Sequence, residues 1–348
     1  MVIITEQDII NTYNERQQEQ CRLYYGYKRI KAENTSFGYK KIAKLMNQPY
    51  SKTRWWHAGK HIPVPIQTAK WLKEKGLLPL NKSHKDINKI AKIIGSTFGD
   101  GGIFENLNGI FLSSSELEAT EEFGLDLAHI FGEEIKNNHR TIEGGEYGNS
   151  WCYQNTNRNV IRFFVALGSP LGKKTLKDLN IPKWIELNQI IKDNFYGALL
   201  GSEIGIPKIH KTGTRLDTFC FVVTSNKKRD KNRIEYLERL REFLTNKGIK
   251  VGDVIISFDK KKNHFKYGIY ISTTLHNVNR FNSFIPIYYC KYKKEKLSTT
   301  LKHFWRIKRQ RYYDLEKIGY KDEHIQTLLK INHRSLYIIK NPYDTFVP

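Results

Sequence analysis

Two carboxylates stand at matching places in two similar segments of this 348-residue sequence. The first segment is Ile93-Ile94-Gly95-Ser96-Thr97-Phe98-Gly99-Asp100-Gly101-Gly102, and the second is Tyr196-Gly197-Ala198-Leu199-Leu200-Gly201-Ser202-Glu203-Ile204-Gly205. Aligned on Asp100 and Glu203, Gly95 and Gly99 fall opposite Ala198 and Ser202, so each segment has a small residue at i and i+4 and then an acid. Glycine inside a helix costs roughly 1 kcal/mol against alanine. The spacing therefore predicts two helices in close backbone contact, with both acids together at their ends. Two carboxylates held close beside a basic surface repel one another unless a divalent cation sits between them. Such a site suits phosphodiester hydrolysis, which needs activated water, neutralised phosphate charge and a stabilised leaving oxygen.

The elements around each acid repeat in order. Strand patterns at Ile103–Glu105 and Gly109–Leu112 flank Asn106-Leu-Asn-Gly109, which reads as a hairpin. A helix over 115–131 capped by Ser115, strands near His139–Ile142 and Ser150–Gln154, and a helix over 158–167 follow. Gly168-Ser-Pro170 stops that helix. In the second half a helix over 189–202 precedes strands near Pro207–His210 and Thr218–Thr224. The charged helix Asp230–Asn246 comes next and ends at Gly248; strands 251–258 and 266–273 and a helix near His276–Ser283 complete the order. Two copies about a hundred residues apart predict a pseudo-twofold domain.

The net charge of +23, from 58 basic and 35 acidic residues distributed along the chain, predicts an extended polyanion-binding surface. No apolar run reaches the roughly 20 residues of a spanning helix, and no signal-peptide pattern opens the chain, so the expectation is a cytoplasmic protein with no membrane role. Cys21, Cys152, Cys220 and Cys290 are far apart and form no CxxC pair, which predicts reduced thiols. His57 and His61 could share a helix face, but no cysteine or acid stands at ligand spacing, so they read as polar residues of a solvated or DNA-facing helix. Gly168 to Thr175 is one residue short of a phosphate loop and follows a helix, which argues against a nucleotide cofactor.

With the paired acids and repeated order in place, the chain resembles the two-repeat, single-chain LAGLIDADG homing endonucleases over roughly residues 87–305. Asp100-Gly101 matches the acid and glycine that usually close the family motif; Glu203 is followed by Ile204, a departure, although Gly205 and Pro207 resemble archaeal-type members. Phe98 stands where the motif has its earlier, nonessential Asp. Gly168-Ser-Pro170, Gly172-Lys173-Lys174 and Ile181-Pro182-Lys183-Trp184-Ile185 resemble the segment closing the first repeat, and Ile287 to Lys293 resembles its counterpart. The resemblance implies an α+β fold, with two pseudo-symmetric αββαββα repeats forming a saddle over double-stranded DNA. It implies Mg2+, or another divalent cation such as Mn2+, held by Asp100 and Glu203 with the preceding Gly99 and Ser202 in the ligand set. Lys174 and Lys293 match the family's catalytic basic residues, with Lys173 and Lys294 as register-shifted alternatives.

Suitable DNA contacts crowd the strands and hairpins: Arg140 and Gln154 in the first half, Lys208, His210, Lys211, Arg215, Lys260, Lys261, Lys262, His264 and Lys266 in the second. Basic and amide side chains read guanine and adenine in the major groove. Outside the repeats, residues 5–32 predict one helix in which Thr5 and Asp8 form a capping pair. Residues 38–79 predict three short helices of helix-turn-helix layout, with Ser51 capping the second and Lys52 and Arg54 near its start. Trp55, Trp56 and Trp71 are expected in the core. Tyr312–Lys340 predicts a second such pair. The expected domains are 1–80, 81–188, 189–305 and 306–348. Beginning with Met1 and ending Phe346-Val347-Pro348, the chain reads as a free-standing, monomeric endonuclease. The competing reading is a non-cleaving transcription regulator or RNA maturase on the same saddle.

Overall fold

The computed structural model describes residues 1–144, 150–331 and 333–341; the terminal Phe346-Val347-Pro348 and Asn332 lie outside the described residues. The chain opens with β1 (Val2–Ile4), α1 (Glu6–Asn11), α2 (Glu15–Glu33), α3 (Tyr39–Leu45), α4 (Tyr50–His57), α5 (Val64–Glu74) and β2 (Leu80–Asn81), which pairs with β1. The single helix expected over 5–32 is two. Thr12 closes α1 through its backbone N–H, and the Asn14 side chain restarts the helix by accepting from Gln17 N at 3.0 Å. The break sends the two pieces to different cores: Ile9 enters the main one, while Tyr24 and Tyr27 of α2 close on Ile42 and Trp56 in a small separate cluster.

Thr5 does pair with Asp8, its N–H and hydroxyl each donating to Asp8 Oδ2 at 2.7 Å. Ser51 does not cap α4, because the helix has already begun at Tyr50, directly after Pro49. Trp56 is buried and Trp71 stacks on Phe131 at 5.9 Å, but Trp55 is exposed beside the His61 ring, against expectation.

The central region contains α6 (Ile87–Phe98), β3 (Gly101–Ile103), β4 (Ile110–Ser114), α7 (Leu117–Phe131), β5 (His139–Glu143), β6 (Trp151–Asn155) and α8 (Arg158–Ala166). Then come α9 (Gln189–Glu203), β7 (Cys220–Ser225), α10 (Asp230–Asn246), β8 (Ile255–Asp259), β9 (His264–Tyr270) and α11 (Leu275–Phe284). Mixed helices and small antiparallel sheets make this an α+β protein. The first sheet has the order β3-β4-β6-β5, and the second β7-β9-β8. The strand expected at Pro207–His210 is reduced to isolated bridges, Gly205 with Cys220 and Ile209 with Leu216. Pro207 has no N–H to extend a ladder there. Helix α7 starts at Leu117, with Glu116 and not Ser115 at its N-cap.

The segment after α11 departs furthest from the sequence reading. A single helix, α12 (Lys291–Lys317), crosses the 305/306 boundary, followed by α13 (Asp322–Leu329) and α14 (His333–Lys340). Leu297, Leu301, Phe304, Trp305 and Tyr312 form its buried stripe. Lys308 lies on the same stripe; burial lowers its pKa to about 8, and its ammonium donates to Thr214 O at 2.8 Å and Leu329 O at 2.6 Å. The loop after Gly205 and the turn between α13 and α14 are thereby tied to one helix. Among the described residues no helix is long and apolar enough to cross a membrane.

Candidate active site

Helices α6 and α9 lie against each other with almost no side chain between them. A Cβ on Gly95 would overlap the carbonyl of Phe195, and one on Gly99 would overlap the Ser202 side chain. On its other side α9 is equally constrained, since a Cβ on Gly197 would lie 2.8 Å from Pro286 O and one on Gly201 would overlap Tyr288 O. Gly95 and Gly99 are therefore required by the approach of the two helices, as their spacing predicted, while Gly197 and Gly201 answer to the segment after α11. Every residue from Ile90 to Phe98 in α6 and from Phe195 to Gly201 in α9 is buried. This seam carries both acids to one place: Asp100 follows the end of α6 and Glu203 is the last residue of α9.

Asp100 keeps an open side to solvent and Glu203 is half-buried, yet enough protein surrounds both to disfavour their charged forms. Burial raises the pKa of Asp100, against the charges of Lys293 and Lys174. Burial raises that of Glu203 too, and the Asp100 charge pushes it further up while the two lysines oppose. Neither carboxylate has a hydrogen-bond or ion-pair partner among the described residues.

Each helix end is closed by a lysine. The Lys174 ammonium donates to Thr97 O at 3.3 Å, to Gly101 O at 2.8 Å and to Gly99 O. Lys293 donates to Ser202 O. Cations favour the C-terminal ends of helices, where unpaired carbonyls gather. Burial lowers the pKa of Lys174, with Glu203 and Asp100 opposing. Lys174 and Lys293 are the lysines at the helix ends, whereas Lys173 and Lys294 are exposed.

A divalent cation fits this donor set. The carbonyls of Gly99 and Ser202 already face ammonium groups, and the two carboxylates beside them lack partners, so the available ligands are all oxygen, as hard cations require. Among the described residues no group of three or more His, Cys, Asp or Glu side chains is gathered, so water and a phosphate oxygen would have to complete the shell.

The other expected contact residues divide into four places. Arg140 Nε donates to Gln154 Oε1 at 2.9 Å on the open face of the first sheet, where Gln154 is itself covered. Lys208, His210, Lys211 and Arg215 sit in the loop before β7, and Lys260, Lys261, Lys262, His264 and Lys266 in and beside the β8–β9 turn. Lys266 pairs with Asp259 at 2.7 Å and, with the backbone N–H groups of Lys262 and Lys261, holds that carboxyl down to about 2. Lys52 and Arg54 lie apart on α4; Lys52 donates to Gln48 Oε1 at 3.2 Å and sits over the Trp56 ring.

Sequence reasoning missed Arg233 and Tyr236 of α10. Arg233 is wholly buried, and Tyr236, also buried, stacks on Phe98 and feels the charge of Glu203. The available signal was an arginine on the apolar stripe that runs through Tyr236, Leu237, Leu240 and Leu244.

No family model matches the chain. It is 28% identical over 240 residues to DNA-directed RNA polymerase subunit Rpo1N of Methanocaldococcus jannaschii, covering 65% of this chain and 18% of that one. Against the tRNA-splicing ligase RtcB of the same organism the figures are 30% over 194 residues, 51% of this chain and 20% of the relative. An archaeal Lon protease of Pyrococcus abyssi is 34% identical over 119 residues, 33% of this chain and 10% of the relative. The chain thus spans at most about a fifth of the length of these relatives. Among solved structures, the homing endonuclease I-DmoI in complex with DNA and Ca aligns with a TM-score of 0.36 at 15% identity, covering 58% of this chain and 91% of that one. A variant of it with target DNA and Mn aligns at 0.34 and 16%, covering 58% and 95%.

Proposed function

We propose that this chain is a divalent-metal-dependent endonuclease of the LAGLIDADG type that cuts both strands of a long double-stranded DNA site. The observation that carries the reading is the meeting of Asp100 and Glu203 at the ends of two glycine-packed helices, each end closed by a lysine. On this reading residues 81–188 and 189–305 are two copies related by a pseudo-twofold axis through the α6–α9 seam. Residues 1–80 form an N-terminal helical unit, and residues 306–348 a C-terminal one continuous with the second copy through α12. One chain contains both acids, so the active species is a monomer. Similarity to short stretches of a polymerase subunit, a ligase and a protease fits a portable module better than any one of those activities.

Asp100 and Glu203, with the carbonyls of Gly99 and Ser202, would hold the metal. A bound Mg2+ or Mn2+ supplies Lewis-acid charge at the phosphate and makes water a stronger acid. The protein's own groups do the rest. The sheets fix the duplex so that each scissile phosphate lies over one helix end. Lys174, whose pKa burial lowers, can exchange a proton with water at one phosphate; Lys293 offers positive charge to the other.

Cleavage of a randomised duplex library with and without Mg2+ tests the reading. Asp100→Asn and Glu203→Gln should each reduce cleavage at least 1,000-fold, on the order of removing a metal ligand, while duplex binding persists through phosphate contacts. Tight, sequence-selective binding by the wild-type chain with no cut under any divalent metal would favour the regulator instead.

A further inference from the structure

We infer that Arg233 and Glu116 are positioning residues, each setting the lysine that belongs to the opposite half of the site. The inference rests on the endonuclease reading for its consequence, but on hydrogen bonds for its basis. Lys174 lies in the irregular connection between α8 and α9, where among the described residues only two short turns, Lys174–Leu176 and Lys183–Leu187, are regular. Backbone groups in such a segment need partners from elsewhere, and they come from the start of α10 in the second half. The Arg233 guanidinium donates through Nη2 to Lys174 O and Lys177 O, both at 2.8 Å. Arg229 reaches Leu176 O at 2.5 Å and Asp178 at 2.6 Å, and Asn232 Oδ1 accepts from Leu179 N at 2.8 Å.

Arg233 is the informative member. It is 0% exposed, it has no ion-pair partner among the described residues, and its Nε lacks any acceptor. Burial lowers its pKa. A buried, unpaired guanidinium is a poor way to stabilise a fold, because an apolar side chain of similar shape avoids its desolvation. What the guanidinium does that an apolar group cannot is hold two carbonyls in one plane, and one of them belongs to Lys174.

The other lysine is held in the reverse direction and with the opposite sign. Lys293 stands in the first turn of α12, and the preceding residue, Tyr292, donates its backbone N–H to Glu116 Oε1 at 2.9 Å. Glu116 stands at the N-cap position of α7 in the first half without a side-chain capping bond, and its buried Oε2 lies toward the Cys290 thiol. Nearby, Tyr289 OH donates to Asp126 Oδ2 of α7 at 2.7 Å. A second-half cation grips carbonyls beneath Lys174, and a first-half anion grips an N–H beside Lys293.

If each lysine serves one strand, the two braces are separable by strand. The full-length chain, its Arg233→Met, Arg233→Lys and Glu116→Ala variants, and a library-selected duplex labelled on either strand provide the test. Arg233→Met should slow one strand's cut at least tenfold while the other stays within about twofold of wild type, so nicked product accumulates. Arg233→Lys should recover part of the lost rate, and Glu116→Ala should impose the opposite strand bias. Equal slowing of both strands in a folded Arg233→Met protein, or no slowing, overturns the inference. If Arg233→Met does not fold, Arg229→Gln and Asn232→Ala, which loosen the same segment, must give the same bias or the inference falls. Should the wild-type chain cut nothing, the endonuclease reading fails by itself. The brace is then read from backbone amide hydrogen exchange over residues 174–179, whose protection must fall in Arg233→Met; unchanged protection counts against it.

Discussion

The two sheets have similar skeletons and different open faces. In the first, Tyr153 packs on Phe123 and against Gly124 of α7, so its neighbours Cys152 and Gln154 point the other way, together with Arg140 and Ile142 across the ladder. Hydrogen-bonding groups lead on this face, through the Arg140–Gln154 pair. In the second, Tyr267 and Ile269 are fully buried, so the outward set is His264, Lys266, Gly268 and Tyr270, flanked by Val222 and Thr224 on one side and Ile255 and Ser257 on the other. Ile255 is 54% exposed and Tyr270 42%, an apolar strip with the committed Lys266–Asp259 pair beside it. The two sheets thus carry unlike chemistry. On the endonuclease reading, one half-site is read by hydrogen bonds to base edges and the other partly through thymine methyl groups, so the target is asymmetric.

The largest expected effect comes from breaking what the halves share. Gly95→Leu forces a side chain into the Phe195 backbone and should destabilise the chain by about 3 kcal/mol or more, read as a lower denaturant midpoint. A shift below about 0.5 kcal/mol would show that the helices can separate freely. Arg140→Ala should weaken specific binding by about 1–3 kcal/mol and relax selection at one or two positions of one half-site only. Ile255→Ser with Val222→Ser should cost about 1 kcal/mol at the other half-site, and replacing thymine by uracil there should reproduce the loss in the wild type. An equal uracil effect on both half-sites contradicts the contrast between the faces. Substituting Lys260, Lys261 and Lys262 together by alanine should flatten the salt dependence by up to roughly 0.9 per lost phosphate contact, without changing sequence preference.

The smallest effect concerns the acids without metal. A carboxyl whose pKa is raised on folding stabilises the fold below its unfolded pKa and loses that contribution as pH rises through the folded value. Metal-free Asp100→Asn should therefore melt slightly higher than wild type at neutral pH, with the difference shrinking as pH falls through the raised pKa. An unchanged or lower melting temperature at neutral pH shows that Lys293 and Lys174 fully offset the burial of Asp100.

Legibility followed the reach of the interactions. Helix α10 was readable to its ends because an apolar stripe, a charged face and the stop at Gly248 all agree locally. The acids were readable because the glycine spacing records a helix–helix approach in the chain itself. Helix α12 was missed from Lys291 to Arg311, where Lys291, Lys293 and Lys294 precede the stripe that begins at Leu297 and the expected domain boundary at 305/306 falls inside it. Arg233 and Glu116 were missed as site residues because their partners, Lys174 O and Tyr292 N, lie far away in sequence and are backbone groups with no compositional trace.

The glycine seam also acts as an alignment key. Since Gly95 meets a carbonyl and Gly99 meets Ser202, α6 and α9 can mate in one register only; a slip of one helical turn, about 5.4 Å, would bring bulky residues into the notches and part the acids by the same distance. On the endonuclease reading, a chimera made by exchanging one half for that of another protein would therefore inherit DNA contacts from its sheets. It would inherit cutting only where the incoming helix has its small residues at the same two steps before its acid.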